Sequence, residues 1–386
     1  LTYAKQNNLN KARAYFLKAI LLNPDSTEAY FNLGYSLHLD KKFVEAKQAY
    51  EKAIQIEPDF FSALQNLGIV EYELNNLNRS IRYFESALEL QPKSFVIYYN
   101  LALAYKALKD FDAAESNLDK SLLLNPHNVE ALAERSHIYA SKNMFFNALE
   151  DINRAINLNP SNSELYFSRG KIAAHAKFND IAEQSFKNVI ELEPKNSEAW
   201  LARAIILDQM KKFDESLNCF KKVQDLRPET PFLPGYIYLS KLKNFEWSNY
   251  SSVVSEILTM VDDEKLAITP HAMTLLPLSS SRQKRVAQQW AERLFGKVIE
   301  EKIKIEPCQR ERRIRLGYFS ADFHNHPVAY LILNILQQHD RNEFEVFAFS
   351  MGIPARDEMR LEIEKCVDHF FNVRELSDED VVSLAR

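Results

Sequence analysis

Seven prolines, Pro24, Pro58, Pro92, Pro126, Pro160, Pro194 and Pro228, stand at a constant interval of 34 residues. A fixed period of this length belongs to stacked arrays, in which one supersecondary unit buries the apolar face of the next. Each period predicts two antiparallel helices. The proline stops the second helix and forces its predecessor into an extended backbone. Residues 1–228 are therefore expected to form an all-α solenoid of six full units behind a partial one, wound as a right-handed superhelix.

The rest of the register agrees with the proline. Ala12, Phe16 and Ala19 precede Pro24 at offsets that return as Ala46, Tyr50, Ala53 and again as Ala148, Ile152, Ala155. The first helix of each unit carries Tyr30, Leu33, Gly34, then Leu64, Leu67, Gly68, then Tyr98, Leu101, Ala102. Spacings of three and four place these side chains on one stripe, and the small residue lets a neighbouring helix approach closely. The register resembles that of tetratricopeptide repeats. Leu1 falls inside the first helix of a unit, with Tyr3 at the place of its later aromatic, so further repeats are expected upstream.

The chain has 386 residues, 26% of them charged, a net charge of −5 and a pI of about 6.1, a balance that argues against a nucleic-acid partner. Cys219, Cys308 and Cys366 are odd in number and far apart, which leaves neither a disulfide framework nor a paired-cysteine metal site; each reads as an apolar filler. Apolar runs are too short to cross a membrane, and no signal peptide opens the sequence, so a cytoplasmic protein without a membrane partner is expected.

After Pro228 the period ends. Residues 229–310 read as a helical connector: a break at Pro231-Phe232-Leu233-Pro234-Gly235 and a helix toward Trp247, a second helix over 251–263, a proline-containing loop around Thr269–Leu278, and a long helix from Ser279-Ser280-Ser281 to about Lys302. From residue 311 to 386 the pattern becomes α/β. Strands at Ile314–Ser320, Phe344–Ser350 and His369–Val373 alternate with helices at Val328–Gln338, near Arg356–Val367 and from Ser377 onward, which predicts βαβ units and a parallel sheet. Three strands are few for a sheet that needs both faces covered, so the chain is expected to stop inside a domain. The basic group Arg310, Arg312, Arg313 and Arg315, interrupted by Glu311, reads as a solvated edge rather than a phosphate site.

Between the first strand and its helix lies Ser320-Ala321-Asp322-Phe323-His324-Asn325-His326-Pro327. Ligands of open α/β sheets bind at such carboxyl ends of strands. Pro327 suits the first helical turn and extends His326, which puts the imidazole beside free N–H groups that favour anions. His326 could serve there as a general base or hydrogen-bond a charged substrate, and a purely structural histidine fits the same place. Asp322 and His324 are read as turn caps. No third ligand accompanies the His-x-His pair, so no metal is expected.

Repeats, a connector with Leu233-Pro234-Gly235 and Trp247, and a strand Arg315-Leu316-Gly317-Tyr318 running into Asp322-Phe323-x-x-His326-Pro327 resemble the protein O-GlcNAc transferases and their plant and bacterial relatives. The resemblance implies two Rossmann-like lobes of a GT-B glycosyltransferase, of which 311–386 supplies only the opening. It also implies a UDP-GlcNAc donor bound mainly beyond this chain, transfer by one direct inverting displacement, and no obligatory metal or other cofactor. His326 matches the family's active-site histidine. Plant relatives transfer fucose, so the sugar stays open, and the fragment is not expected to catalyse transfer unaided.

Asn32, Asn66 and Asn100 recur at 34-residue steps, after which the same register holds Glu134, Ser168 and Ala202. In the family an asparagine here lines the concave face and holds an extended peptide by its backbone. A carboxamide offers both a donor and an acceptor, which suits that task; a polar residue merely tolerated on an exposed groove is the other reading. The partner expectations are thus protein or peptide acceptors in the groove and a homodimer through the repeats. A scaffold of repeats with a degenerate α/β tail is the competing class, and it gives no reason for the Asp322–Pro327 element.

Overall fold

The computed structural model describes residues 9–276, 278–295, 313–352 and 357–385, and the chain divides into two compact units, Leu1–Lys297 and Val298–Arg386. Leu1, Tyr3, Cys308, Arg310, Glu311, Arg312 and the expected helix beyond Phe295 lie outside the described residues.

In the first unit a helix α1 (Leu9–Leu22) precedes six helix pairs. These are α2 (Thr27–Leu39) with α3 (Phe43–Ile56), α4 (Phe61–Glu73) with α5 (Leu77–Leu90), and α6 (Phe95–Ala107) with α7 (Phe111–Leu124). Then follow α8 (Val129–Ser141) with α9 (Phe145–Leu158), α10 (Ser163–His175) with α11 (Asn179–Leu192), and α12 (Ser197–Gln209) with α13 (Phe213–Leu226). Each helix packs on its partner and on the next pair in chain order. The residue before the proline leaves helical backbone and closes the second helix, as at Glu57 (φ −133°, ψ 94°), Gln91 (φ −133°, ψ 79°) and Asn125 (φ −136°, ψ 87°).

The turn inside each pair has its own period. Lys41, Asn75, Lys109, Asn143, Lys177 and Lys211 all take left-handed backbone, with φ between 57° and 63°. The N–H of Lys41 bonds the His38 carbonyl and that of Lys42 the Leu37 carbonyl, each at 2.9 Å, which satisfies two orphan carbonyls of α2.

Close packing within a pair depends on matched sizes sixteen residues apart. A Cβ added to Gly34, Gly68 or Gly170 would stand 2.8, 2.5 and 2.5 Å from the rings of Tyr50, Phe84 and Phe186. Where the small residue grows to Ala102 or Ser136, the large one shrinks to Leu118 or Ile152. Arg135, Arg169 and Arg203 replace Leu33, Leu67 and Leu101 at one register. Arg135 pairs with Asp151 at 2.7 Å and Asp119 at 2.6 Å, and Arg203 with Glu183 at 2.7 Å, whereas Arg169 donates to Ser185 and Asn153. First helices of neighbouring pairs, α2 on α4, α4 on α6 and α8 on α10, pack together more than any two second helices do.

The connector is packed rather than loose. α14 (Leu233–Lys243), α15 (Tyr250–Asp262), α16 (Pro270–Met273) and α17 (Ser280–Phe295) bury Tyr238, Ile257, Val261, Ile268 and Val286 in one cluster. The short α16 falls inside the expected proline loop; Pro270 opens it and the Thr269 hydroxyl accepts from the Ala272 N–H.

The second unit runs β1 (Ile314–Ser320), α18 (Pro327–Gln338), β2 (Phe344–Ser350), α19 (Glu358–Lys365), β3 (His369–Asn372) and α20 (Asp378–Ala385). The strands are parallel in the order β1-β2-β3, with Ser320 opposite Ser350 and Phe347 opposite His369. Tyr318, Val346, Ala348 and Phe370 pack with Ala329, Leu336, Met359 and Ile363 of the helices. Alternation sends Phe319, Phe349 and Phe371 to the other face, where their rings stack at 4.4 and 5.5 Å while Phe319 stays 47% exposed. Cys219 is buried and Cys366 half-buried. Arg315 is exposed, and Arg313 pairs with Glu345 and Asp368 at 3.7 and 3.6 Å.

Candidate functional site

The loop from Ala321 to His326 leaves β1 at its carboxyl end and is fixed at several points. Phe323, 1% exposed, anchors it in the core of the second unit. The Asp322 N–H donates to the Ser320 hydroxyl at 3.0 Å, and the His324 N–H to the Asp322 carbonyl at 2.8 Å. The segment after β2 lies directly against it: a Cβ on Gly352 would fall 1.9 Å from the Ala321 carbonyl oxygen. Only a glycine leaves room for that approach.

Asp357 supplies the strongest tie, and sequence reasoning did not single it out. One carboxylate oxygen caps α19 through the Arg360 N–H at 2.9 Å; the other accepts the Asn325 N–H at 2.9 Å. Those bonds to the Asn325 and Arg360 amides hold the Asp357 carboxyl below the ordinary carboxylate range, with His324 adding a smaller effect. The link spans 32 residues, and no local pattern announces it. Tyr330 donates to the Asn325 side chain at 3.0 Å, and Asn325, Tyr330, Asp357, Glu358 and Glu362 border a cavity of about 470 Å³.

His326 is the N-cap of α18, with extended backbone (φ −143°, ψ 145°), as Pro327 requires. Its Nδ1 accepts the Val328 N–H at 3.3 Å and stands 3.7 Å from Asp322 Oδ2. Both side chains are part-exposed, at 40% and 37%. While Nδ1 accepts from the helix, the neutral ring carries its proton on Nε2, so the outward nitrogen donates. The ring can accept a proton at Nε2 only if Nδ1 becomes the protonated nitrogen and turns from Val328 to Asp322. His324 lies beside it, ring centroids 5.7 Å apart.

In the first unit Asn32, Asn66 and Asn100 are all half-buried on α2, α4 and α6. The Asn32 amide donates to the Glu28 carbonyl at 2.7 Å, a bond one turn back along its own helix. Farther along the register Glu134 pairs with Lys106 at 2.5 Å and lies 3.9 Å from His137, whose pKa is lowered chiefly by burial. Burial likewise pushes the Tyr99 phenol up to about 12. Among the described residues no three His, Cys, Asp or Glu side chains gather as metal ligands, and no helix is long and apolar enough to cross a membrane.

Residues 245–382 match the glycosyl transferase family 41 profile, and residues 1–26, 27–60, 61–94, 95–128 and 197–230 match tetratricopeptide repeat profiles. A tetratricopeptide solenoid and a family 41 glycosyltransferase region thus share one chain. In these stretches the chain is similar to protein O-GlcNAc transferases. It is 27% identical over 144 residues to a UDP-N-acetylglucosamine–peptide N-acetylglucosaminyltransferase of Caenorhabditis elegans, an alignment covering 34% of this chain and 12% of the relative. It is 32% identical over 81 residues to the probable enzyme SEC of Arabidopsis thaliana, covering 20% and 8%. A tetratricopeptide repeat protein from Parabacteroides merdae superposes with a TM-score of 0.48 at 19% identity, covering 68% of this chain and 98% of that one.

Proposed function

We propose that the chain is part of a protein glycosyltransferase that moves GlcNAc from UDP-GlcNAc to serine or threonine hydroxyls, with the repeats recruiting the protein acceptor. The observation that carries this reading is His326: it caps α18 at the carboxyl end of β1, on a loop held from three sides, inside the stretch matching family 41. In the transfer the acceptor oxygen bonds to the anomeric carbon as the bond to the diphosphate oxygen breaks. His326 presents Nε2–H there to an oxygen of the donor or acceptor, and so orients it. With the ring turned to Asp322, Nε2 would instead take the hydroxyl proton. No residue of this chain is assigned to the nucleotide.

For the repeats, the contacts between first helices α2 and α4, α4 and α6, and α8 and α10 support an inward curve on their side, with Asn32, Asn66 and Asn100 directed to an extended peptide. A cytoplasmic location accompanies this function. The test is to incubate the full-length protein with a protein acceptor and either UDP-GlcNAc or GDP-fucose, and to follow the acceptor by mass spectrometry. Modification from UDP-GlcNAc is expected. Modification from GDP-fucose alone would replace the sugar, and none from either would reject the enzyme.

A further inference from the structure

A cavity of about 420 Å³ lies inside the first unit, where the last repeat meets the connector. One wall is the first turn of α12, with Glu198 and Leu201; the other is Phe232, Tyr236 and Trp290. Glu198 stands one turn before Ala202, which occupies the asparagine register. The cavity therefore opens on the same helical face as Asn32, Asn66 and Asn100, at the far end of the row.

Its wall holds a strained residue. Phe232 takes left-handed backbone (φ 65°), unfavourable for an aromatic side chain, and is nevertheless 6% exposed with its N–H bonded to the Leu266 carbonyl. Its ring meets Trp290 edge-on at 4.9 Å, and the Arg293 guanidinium lies 5.9 Å from the ring centroid. Tyr236 stacks on Phe220 at 6.0 Å. Two cations border this aromatic wall, Arg227 and Arg293, and among the described residues neither forms an ion pair with a carboxylate. That differs from Arg135 and Arg203, whose guanidiniums are paired within the repeats. Glu198 is the one carboxylate on the lining, so two positive groups face one negative. On a chain of net charge −5 this is a local reversal of sign.

We propose that this cavity binds an acidic segment of the acceptor protein, with a carboxylate side chain between Arg227 and Arg293 and an adjacent apolar side chain against Phe232 and Trp290. The inference rests on the reading that the repeats hold an extended acceptor. Guanidinium pairs carboxylate by parallel hydrogen bonds, and partial exclusion of water by the aromatic wall strengthens them. The asparagines would hold backbone and read no sequence; the cavity would add a preference for acidic side chains.

The experiment is fluorescence anisotropy on the full-length protein, using a labelled peptide of alternating Glu and Val and its Gln–Val counterpart. The Glu peptide is expected to bind about tenfold more tightly at low salt, a preference that shrinks as salt rises. Arg227→Gln with Arg293→Gln should remove the preference and leave Gln–Val binding in place; R227E with R293E should reverse it. Asn32→Ala, Asn66→Ala and Asn100→Ala together should weaken both peptides alike and keep their ratio. Equal binding of the two peptides, or a preference that survives both arginine pairs, overturns the proposal. So does a single-stranded oligonucleotide that binds more tightly than the Glu peptide and is lost in the same variants. If the asparagine variant changes nothing while the arginine variants behave as stated, the groove reading fails and the cavity stands.

Discussion

Gly68→Ala isolates the size matching that sets the distance between paired helices. The new methyl carbon would stand 2.5 Å from Phe84 Cε1, 2.7 Å from Cδ1 and 3.0 Å from Cζ. Phe84 is 1% exposed, so its ring has no solvent to swing into, and α4 and α5 must separate. Overpacking of this kind costs about 1–3 kcal/mol. Alanine regains about 1 kcal/mol of helix propensity over glycine, so a net loss of up to about 2 kcal/mol is expected. Phe84→Leu made together with it recreates the Ala102–Leu118 pair of the next repeat and should recover most of that loss. Urea unfolding of the four proteins of this double-mutant cycle measures the coupling, with amide exchange in α4 and α5 to localise it because repeat arrays need not unfold in two states. In the last repeat Ala204 does stand opposite a phenylalanine, Phe220, and there the connector's Tyr236 stacks on that ring. If Gly68→Ala raises stability, or if Phe84→Leu adds its cost independently, the steric argument is wrong.

Lys109→Gly removes a non-glycine residue from left-handed backbone (φ 63°) and should stabilise the solenoid by about 0.5 kcal/mol in the same unfolding assay; a loss would show that the lysine side chain matters more than its backbone. Replacing Asn32, Asn66 and Asn100 by Ala should cost about 1 kcal/mol of acceptor binding for each backbone bond lost, by calorimetry, with an unchanged far-ultraviolet spectrum. Because the folded-state carboxyl of Asp357 is depressed below its free value, its support of the loop is complete at neutral pH and disappears as pH falls through the carboxylate range. The Asn325 amide should therefore lose exchange protection on acidification below about pH 4, and in Asp357→Ala at any pH. Nitrogen-15 spectra of His326 should show the Nε2–H form of the neutral ring, and a dominant Nδ1–H form would contradict the capping bond to Val328.

The repeat architecture was legible because every unit must bury the same stripe and stop at the same place, so proline, alanine and glycine recur in step. The three strands could be read as closely, since parallel strands buried on one face keep a dense apolar pattern. The left-handed turns at Lys41 and its five equivalents could not: lysine carries no signature of positive φ, and only the Schellman bonding reveals it. The partner of each small residue was equally hidden, because Gly68 announces a close approach without saying that Phe84 makes it. At the site, Pro327 located His326 as a cap, yet which nitrogen points outward depends on the Val328 amide, and the tie from Asp357 crosses a whole βα unit. Arg227, Trp290 and Arg293 meet only through the packing of the connector on the last repeat.

The most direct test of the account is the rate of sugar transfer from UDP-GlcNAc to a protein acceptor by the full-length protein carrying His326→Ala, with its melting temperature measured alongside. A part-exposed imidazole that touches the reacting oxygens should lower transfer by about 10²–10⁴-fold when removed, while the melting temperature stays close to that of the wild type. Transfer at the wild-type rate would take His326 out of the site, and a loss that merely follows an earlier melt would reduce it to a helix cap.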